Sequence, residues 1–171
     1  MDLFAAGGYD ETTVDEIAER AGVSRRSFFR YFESKGDLMA YGMAGYGRMV
    51  AETVDSFPAG YPMDRVFRET VTRVAAQAVE SPYTRKIMEI AAKYPAARDA
   101  QVVKMIEVHD QVAAAYARRA GRVLPGGPAP GILAGLTVSV LGVVFRVWFE
   151  QGRNDICFAA AQVLGAMRTL A

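Results

Sequence analysis

Residues 13–32 have the sequence TVDEIAERAGVSRRSFFRYF, which predicts two short helices separated by a tight turn. In the first half, apolar residues recur at the i, i+3, i+4, i+7 spacing of one helical face, at Val14, Ile17, Ala18 and Ala21. Thr13 and Glu16 have the spacing of a capping box, in which each side chain accepts a hydrogen bond from the other residue's backbone N–H. Gly22 ends this helix because glycine tolerates the left-handed turn. Ser24 then caps the second helix, which runs to about residue 32.

The small and aromatic residues of this segment have the spacing of a helix-turn-helix. Ala18 is small enough for a second helix to cross closely, and Gly22 permits the tight turn between the helices. Val23 and Phe28 are expected to fill the angle between them. In such a motif the second helix lies in the major groove of DNA, with the side chains of its N-terminal turn at the base edges. The residues therefore predict contact with double-stranded DNA, with a solvated helical pair as the alternative.

Basic residues are concentrated on and beside the second helix. Residues 1–48 hold six Lys and Arg against eight Asp and Glu, a net charge of −2. Residues 20–35 hold five basic residues and one acidic residue, a net charge of +4. The local excess favours DNA binding because phosphates attract cations. The negative charge of the whole region favours the alternative, a helical binding or adaptor protein that keeps this fold without binding an operator.

The run from Gly8 to Leu38 closely resembles the DNA-binding headpiece of TetR-family transcriptional regulators. The matching residues are Gly8-Tyr9, Thr12 to Phe32, Ser34-Lys35 and Leu38. The resemblance implies a DNA-binding transcriptional regulator, a ligand-responsive repressor that binds a palindromic operator as a homodimer. It also implies two domains, a helix-turn-helix DNA-binding domain over 1–45 and a helical effector-binding and dimerisation domain over 46–171.

The same resemblance implies which side chains touch DNA. Arg25, Arg26 and Ser27 take the base-facing turn, where arginine favours the O6 and N7 atoms of guanine. Phe29 stands where the family usually has tyrosine, and its ring is expected to contact a thymine methyl group or a sugar. Phosphate contacts are expected from Thr13, Arg30, Tyr31 and Lys35. The full predicted set is Thr13, Ser24, Arg25, Arg26, Ser27, Phe29, Arg30, Tyr31 and Lys35.

The chain departs from the family pattern at its start. The family's first helix normally has further residues and a basic arm before the position of Leu3-Phe4. Either the start of the sequence is truncated or the protein lacks the arm, and in both cases we expect the phosphate contacts of that arm to be absent.

Helical periodicity continues to the end of the chain without an alternating strand pattern, so the fold class is expected to be all-α, with about nine helices. Ser81-Pro82 predicts a helix N-terminus with serine as the cap. A short helix is expected from there to Pro95, and a long helix after it. The long helix is expected to bury one stripe, formed by Val102, Ile106, His109, Ala113, Tyr116 and Ala120.

Two further sets of residues are candidates for binding. Met88, His109 and Phe145 are candidates for a pocket that takes a small lipophilic or aromatic effector, with core packing as the alternative. The last two helices are candidates for a dimer interface, again with core packing as the alternative. Their proposed contacts are Leu136, Val140, Val144, Val147, Val163 and Met167.

Composition excludes several other classes of protein. The chain has 171 residues, of which 51% are hydrophobic and 23% charged, with a net charge of +1, which excludes a disordered chain. One cysteine and one histidine exclude a disulfide scaffold and predict that no metal or other cofactor is bound. No phosphate-binding glycine loop or nucleophile elbow is present, so an enzyme is not expected. The apolar run Ile132–Phe145 is 14 residues long, which predicts a core helix of a cytoplasmic protein rather than a membrane span.

Overall fold

The computed structural model describes residues 1–120, 127–152 and 155–169. Within these ranges the chain forms nine helices and no strand, which confirms the all-α fold class. The helices are α1 (Asp2–Gly7), α2 (Val14–Arg20), α3 (Arg25–Tyr31), α4 (Lys35–Asp55), α5 (Met63–Glu80), α6 (Tyr83–Lys93), α7 (Pro95–Ala120), α8 (Ala129–Glu150) and α9 (Ile156–Met167).

The helices form two compact units. Unit 1 contains residues 1–44 and 82–105, and unit 2 contains residues 45–81 and the described part of 106–171. Unit 1 therefore includes α6 and the first part of α7 together with α1 to α3 and the start of α4. These are units of packing, and the functional division into 1–45 and 46–171 stays a prediction.

The core of unit 1 joins α1 to α4, α6 and α7. Its buried residues are Phe4, Tyr9, Met39, Ile90 and Ala97. The ring of Tyr9 lies between those of Phe4 and Tyr94, with centroid distances of 5.1 and 6.3 Å. At the surface, the Lys86 ammonium lies 2.6 Å from the Asp2 carboxylate and joins α6 to α1.

The core of unit 2 is built mainly from α5, α8 and α9. Its fully buried side chains include Val66, Val71, Val74, Leu141 and Val144. Inside this core the Tyr116 hydroxyl lies 2.9 Å from the hydroxyl of Thr137, so both buried polar groups have a partner. The Arg68 guanidinium donates a hydrogen bond to the Leu164 carbonyl over 3.2 Å, which ties α5 to α9.

Two local predictions are wrong. Ser81 is the C-cap of α5, and α6 begins at Tyr83 after Pro82 without a side-chain cap. In α7 the predicted Tyr116 and Ala120 are buried, but Val102 and Ile106 are 60% and 69% exposed. The other buried residues of α7 in this part of the helix are Val108, Val112 and Ala115. Alanine and valine lie on several faces of α7, so periodicity alone does not identify the face that is buried.

Helix α8 has 22 residues and is long and apolar enough to cross a membrane, by length and composition. It exceeds the 14-residue apolar run, because the helix extends at both ends of that run. One face, which carries Ala134, Leu141 and Trp148, is buried inside unit 2. A buried face of this kind is typical of a core helix.

Candidate nucleic-acid interface

The capping box at the start of α2 forms as predicted. The Thr13 hydroxyl accepts a hydrogen bond from the Glu16 backbone N–H over 3.2 Å. The Thr13 backbone N–H donates to the Glu16 carboxylate over 2.7 Å, and the Thr13 hydroxyl lies 2.9 Å from the same carboxylate oxygen. The hydrogen bond from the Thr13 backbone N–H, and after it the one from the Thr13 hydroxyl, hold the pKa of Glu16 below its ordinary value. The contact of Thr13 with a phosphate stays a prediction.

The turn between α2 and α3 also follows the sequence. Gly22 has a φ of +67°, the left-handed conformation that glycine adopts without strain. The Ser24 hydroxyl caps α3 by accepting a hydrogen bond from the Ser27 backbone N–H over 3.1 Å. Ala18 and Phe28 are 3% and 4% exposed and fill the angle between the helices. Val23 is 44% exposed, so the prediction that it shares this role is wrong.

Most of the predicted DNA-contacting side chains of α3 lie at the surface. Arg25, Arg26 and Arg30 are exposed, and Ser27 is half-buried. Phe29 is 45% exposed and Tyr31 is 68% exposed. The motif therefore presents three arginines and two aromatic rings to solvent on a helix of seven residues.

The three arginines differ in what they touch. Arg25 places its Nη1 atom 2.6 Å from the Asp15 carboxylate of α2, and its guanidinium lies 5.4 Å from the centroid of the Phe29 ring. Arg30 donates a hydrogen bond to the Tyr31 hydroxyl over 3.1 Å. Arg26 has no ion pair or hydrogen bond to any other residue in the described ranges, so its guanidinium is available for an incoming anion.

Lys35 has a structural role that the sequence did not predict. Its ammonium donates hydrogen bonds to the backbone carbonyls of Tyr9, Asp10 and Thr12, over 2.7, 2.8 and 3.1 Å. An ammonium has three N–H donors, and these contacts use all of them. These hydrogen bonds form a clamp that joins the start of α4 to the segment between α1 and α2, and the phosphate contact of Lys35 stays a prediction. The carbonyl partners of Lys35 lie 23 to 26 residues away in sequence, where no local motif indicates them.

Comparison with known proteins agrees with this geometry. The family model described as bacterial regulatory proteins, tetR family, matches residues 1–41. The chain is 26% identical over 163 residues to the HTH-type transcriptional regulator TcmR of Streptomyces glaucescens, covering 91% of this chain and 72% of TcmR. The resemblance of the start of the chain to the TetR family is thereby confirmed over residues 1–41. The residues that match the TetR family model form α1 to α3 and the start of α4.

Two further proteins match more narrowly or in fold alone. The chain is 33% identical over 92 residues to the HTH-type transcriptional regulator AcrR of Shigella flexneri, which covers 52% of this chain and 42% of AcrR. The crystal structure of a TetR-family regulator from Mesorhizobium loti superposes with a TM-score of 0.56 at 18% identity, covering 99% of this chain and 91% of the other. The curated names of TcmR and AcrR describe transcriptional regulators, and the Mesorhizobium loti structure shows a shared fold.

The three residues predicted for an effector pocket lie in different units. Met88 is half-buried in unit 1, whereas His109 and Phe145 belong to unit 2. The Nε2 atom of His109 lies 3.1 Å from the Gly131 carbonyl, and Nδ1 lies 3.4 Å from the Asp110 carboxylate. The Phe145 ring lies 6.1 Å from that of Tyr46. His109 thus has backbone and carboxylate neighbours, and Phe145 has an aromatic one.

Unit 2 contains a cavity of about 560 Å³ between α4 and α5. Six of its eight lining residues have polar side chains, and the lining consists of Gly45, Arg48, Met49, Glu52, Thr53, Ser56, Arg73 and Gln77. Met88, His109 and Phe145 do not line it. A polar lining does not match a lipophilic effector, so the cavity gives no support to that part of the prediction.

The predicted dimer contacts separate into buried and accessible residues. Val140 and Val144 are 8% and 0% exposed, so they pack in the core of unit 2 and their assignment to a dimer interface is wrong. Val147, Val163 and Met167 are half-buried, and Leu136 is 43% exposed. The exposed apolar residues that the sequence did not single out are Ile132, Val143 and Phe158. Ile132, Leu136 and Val143 have the i, i+4, i+11 spacing of one helical face, which is the signal that could have found them.

Proposed function

We propose that the chain is a cytoplasmic, ligand-responsive repressor that binds a palindromic operator as a homodimer. The observation that carries the proposal is the exposed face of α3, with Arg25, Arg26 and Arg30 at the surface and Phe28 holding the helix in place from below. In this proposal α3 is the recognition helix and lies in the major groove.

In this proposal the arginines of the recognition helix contact different parts of the DNA. Arg25 and Arg26 begin the helix, at the turn that a helix-turn-helix places at the base edges. A guanidinium that donates two hydrogen bonds to O6 and N7 of guanine contributes about 1–3 kcal/mol of discrimination against other bases. Arg30 lies in the last turn, where a phosphate contact fits a cation stacked on the Tyr31 ring at 4.8 Å. Ser24 and Ser27 hold the N-terminal turn in shape through their hydroxyls, which lie 3.0 Å apart.

Dimer binding is supported by an exposed apolar stripe. Ile132, Leu136 and Val143 lie on the face of α8 opposite its buried residues, and they are 57%, 43% and 43% exposed. A contiguous apolar patch on a water-facing surface is typical of an interaction site. Two copies would present two recognition helices, which fits a palindromic operator because its half-sites mirror the symmetry of the dimer.

The effector is the least supported part of the proposal. Burial raises the pKa of the Tyr46 phenol, and the Phe145 ring beside it adds apolar surface. This aromatic pair favours a lipophilic or aromatic ligand in unit 2. Residue Tyr46 belongs to α4, the helix that begins at Lys35, so a ligand that displaces α4 would act on the helix that clamps the headpiece. Such coupling typically amounts to about 1–3 kcal/mol.

The test is selection of DNA sequences by the intact chain. A random duplex library is enriched on the unmodified protein, and binding of the enriched duplex is measured for the unmodified protein and for Arg25→Ala and Arg26→Ala. We expect enrichment of an inverted repeat and loss of base preference on Arg25→Ala with the dimer intact. Unchanged preference in both variants would contradict the assignment of α3. Addition of small aromatic compounds to the complex then tests effector release.

A second candidate function is a helical adaptor that keeps the fold without reading an operator. The pairing of Arg25 with Asp15 and the carbonyl partners of Lys35 favour it, because they reduce the free positive charge of the headpiece. Salt dependence separates the two functions. Phosphate contacts make the DNA affinity fall steeply as salt rises, whereas an adaptor would show no DNA affinity to lose.

A further inference from the structure

Asp15 contacts the recognition helix, although it lies outside the residues expected to touch DNA. Its carboxylate oxygen is 2.6 Å from the Nη1 atom of Arg25, across the turn between α2 and α3. We propose that Asp15 is a positioning residue for base recognition, which holds Arg25 in the orientation that reads a base. This inference rests on the proposed function, because it needs α3 to lie against DNA.

Two contacts fix the Arg25 guanidinium from different directions. The Asp15 carboxylate binds Nη1, and the Phe29 ring lies 5.4 Å from the central carbon of the guanidinium. A long arginine side chain without such contacts samples many rotamers, and ordering it on binding costs free energy. With Asp15 and Phe29 in place, part of that ordering is already present before DNA arrives.

The same contacts leave the N–H groups of Arg25 that would bind a base without a partner in the described part of the chain. A guanidinium has five N–H donors, and only Nη1 is bonded among the described residues. Recognition of guanine O6 and N7 uses two N–H groups of one guanidinium. The carboxylate therefore fixes one end of the group, while the Nη2 and Nε donors remain for a base.

Stability does not account for the Asp15–Arg25 pair. The two side chains are 63% and 62% exposed, and ion pairs at this exposure contribute little to the free energy of folding. A carboxylate close to DNA is also repelled by the phosphates, which weakens binding to every sequence alike. Asp15 would thus lower the affinity for all DNA by the same factor, and only its effect on the orientation of Arg25 raises the ratio of operator binding to random binding.

The experiment compares two variants that remove one negative charge each from α2. Asp15→Asn removes the partner of Arg25, and Glu19→Gln is the matched control, since Glu19 is exposed one turn later and has no side-chain contact with α3 among the described residues. The duplex enriched by the unmodified, full-length protein is the probe, together with a scrambled duplex. The base read by Arg25 is the position whose preference is lost in Arg25→Ala.

We expect Asp15→Asn to bind the scrambled duplex more tightly while its preference at the Arg25 position falls about fivefold, which corresponds to about 1 kcal/mol. Glu19→Gln is expected to tighten binding to the scrambled duplex and to keep the full base preference. An unchanged preference in Asp15→Asn, with operator and scrambled affinities raised by the same factor, would overturn the inference alone. Failure of the unmodified protein to enrich any sequence would overturn the proposed function, and this inference with it.

Discussion

At Lys35 a single ammonium group satisfies three backbone carbonyls in the segment between α1 and α2. The group also lies 4.8 Å from the centroid of the Tyr9 ring, whose residue belongs to the core of unit 1. Charge-assisted hydrogen bonds of this kind are stronger than neutral ones. At the residue scale, the position of α2 relative to the start of α4 within unit 1 therefore depends on one side chain.

Substitution Lys35→Met is expected to destabilise unit 1 by about 1–3 kcal/mol, because it leaves carbonyls in partly buried surroundings without a donor. Lys93→Met is the matched control, since Lys93 also lies over a tyrosine ring, at 5.1 Å, but has no carbonyl partner among the described residues. Denaturant titration measures both variants, and amide exchange over residues 8–13 reports the local effect. An equal fall in the free energy of unfolding of the two variants would show that the carbonyl contacts do not stabilise unit 1.

Glu16 makes the stability of the headpiece depend on pH. Its folded-state pKa is lowered from the ordinary value of 4.5 by the hydrogen bonds from Thr13, so the carboxylate stabilises the fold above that pH. The contribution disappears as the pH falls through the lowered pKa. We expect Glu16→Gln to be less stable than the unmodified protein at neutral pH and to approach it in acid. A stability difference that persists in acid, measured by denaturant titration, would contradict this account, and Glu19→Gln serves as the control for loss of charge.

At the element scale, the helix-turn-helix depends on the backbone conformation of one residue. Gly22 has a φ of +67°, and a Cβ atom added there would meet no other atom within 4 Å. Gly45 lies inside α4, and a Cβ atom added there would also meet nothing. The two positions therefore differ in backbone conformation and not in available space.

Substitution by alanine is expected to have opposite signs at these positions. Gly22→Ala forces an L residue into the left-handed region, which costs about 1–2 kcal/mol. Gly45→Ala removes a flexible residue from a helix, which stabilises by about 0.5–1 kcal/mol. The measurement is the free energy of unfolding of each variant from denaturant titration. If the free energy of unfolding changed in the same direction in both variants, the conformation of the turn would not explain why position 22 is glycine.

The elements that sequence predicts well are those determined by neighbours along the chain. The capping box, Gly22 and the buried Phe28 each follow from residues within a few positions, and the structure contains all three. The clamp of Lys35 and the Asp15–Arg25 pair join residues 10 to 26 positions apart, which only the packed structure brings together. The buried stripe predicted for α7 is correct at Tyr116 and Ala120 and wrong at Val102 and Ile106, because a helix rich in alanine and valine has several apolar faces.

At the scale of the whole molecule, α8 is apolar on two opposite faces. One face packs into unit 2 through Ala134, Leu141 and Val144, and the other exposes Ile132 and Leu136. Periodicity identifies both faces but not which of them is buried, since apolar residues on opposite faces give no single stripe. Only burial distinguishes the residues that hold unit 2 together from those that are exposed.

Substitution Leu136→Glu tests whether this exposed face pairs two chains. Leu136 is 43% exposed, so a charge there is tolerated by the isolated chain but opposed in an apolar interface, where it would be buried without a partner. The control is Ile106→Glu, which places the same charge at an apolar residue of α7 that is 69% exposed. Sedimentation is expected to show twice the chain mass of 18.6 kDa for the unmodified protein and the control, and the mass of one chain for Leu136→Glu. Operator affinity should fall with the loss of the dimer, because a single recognition helix contacts one half-site. A dimeric Leu136→Glu variant with unchanged affinity would move the interface away from this face of α8.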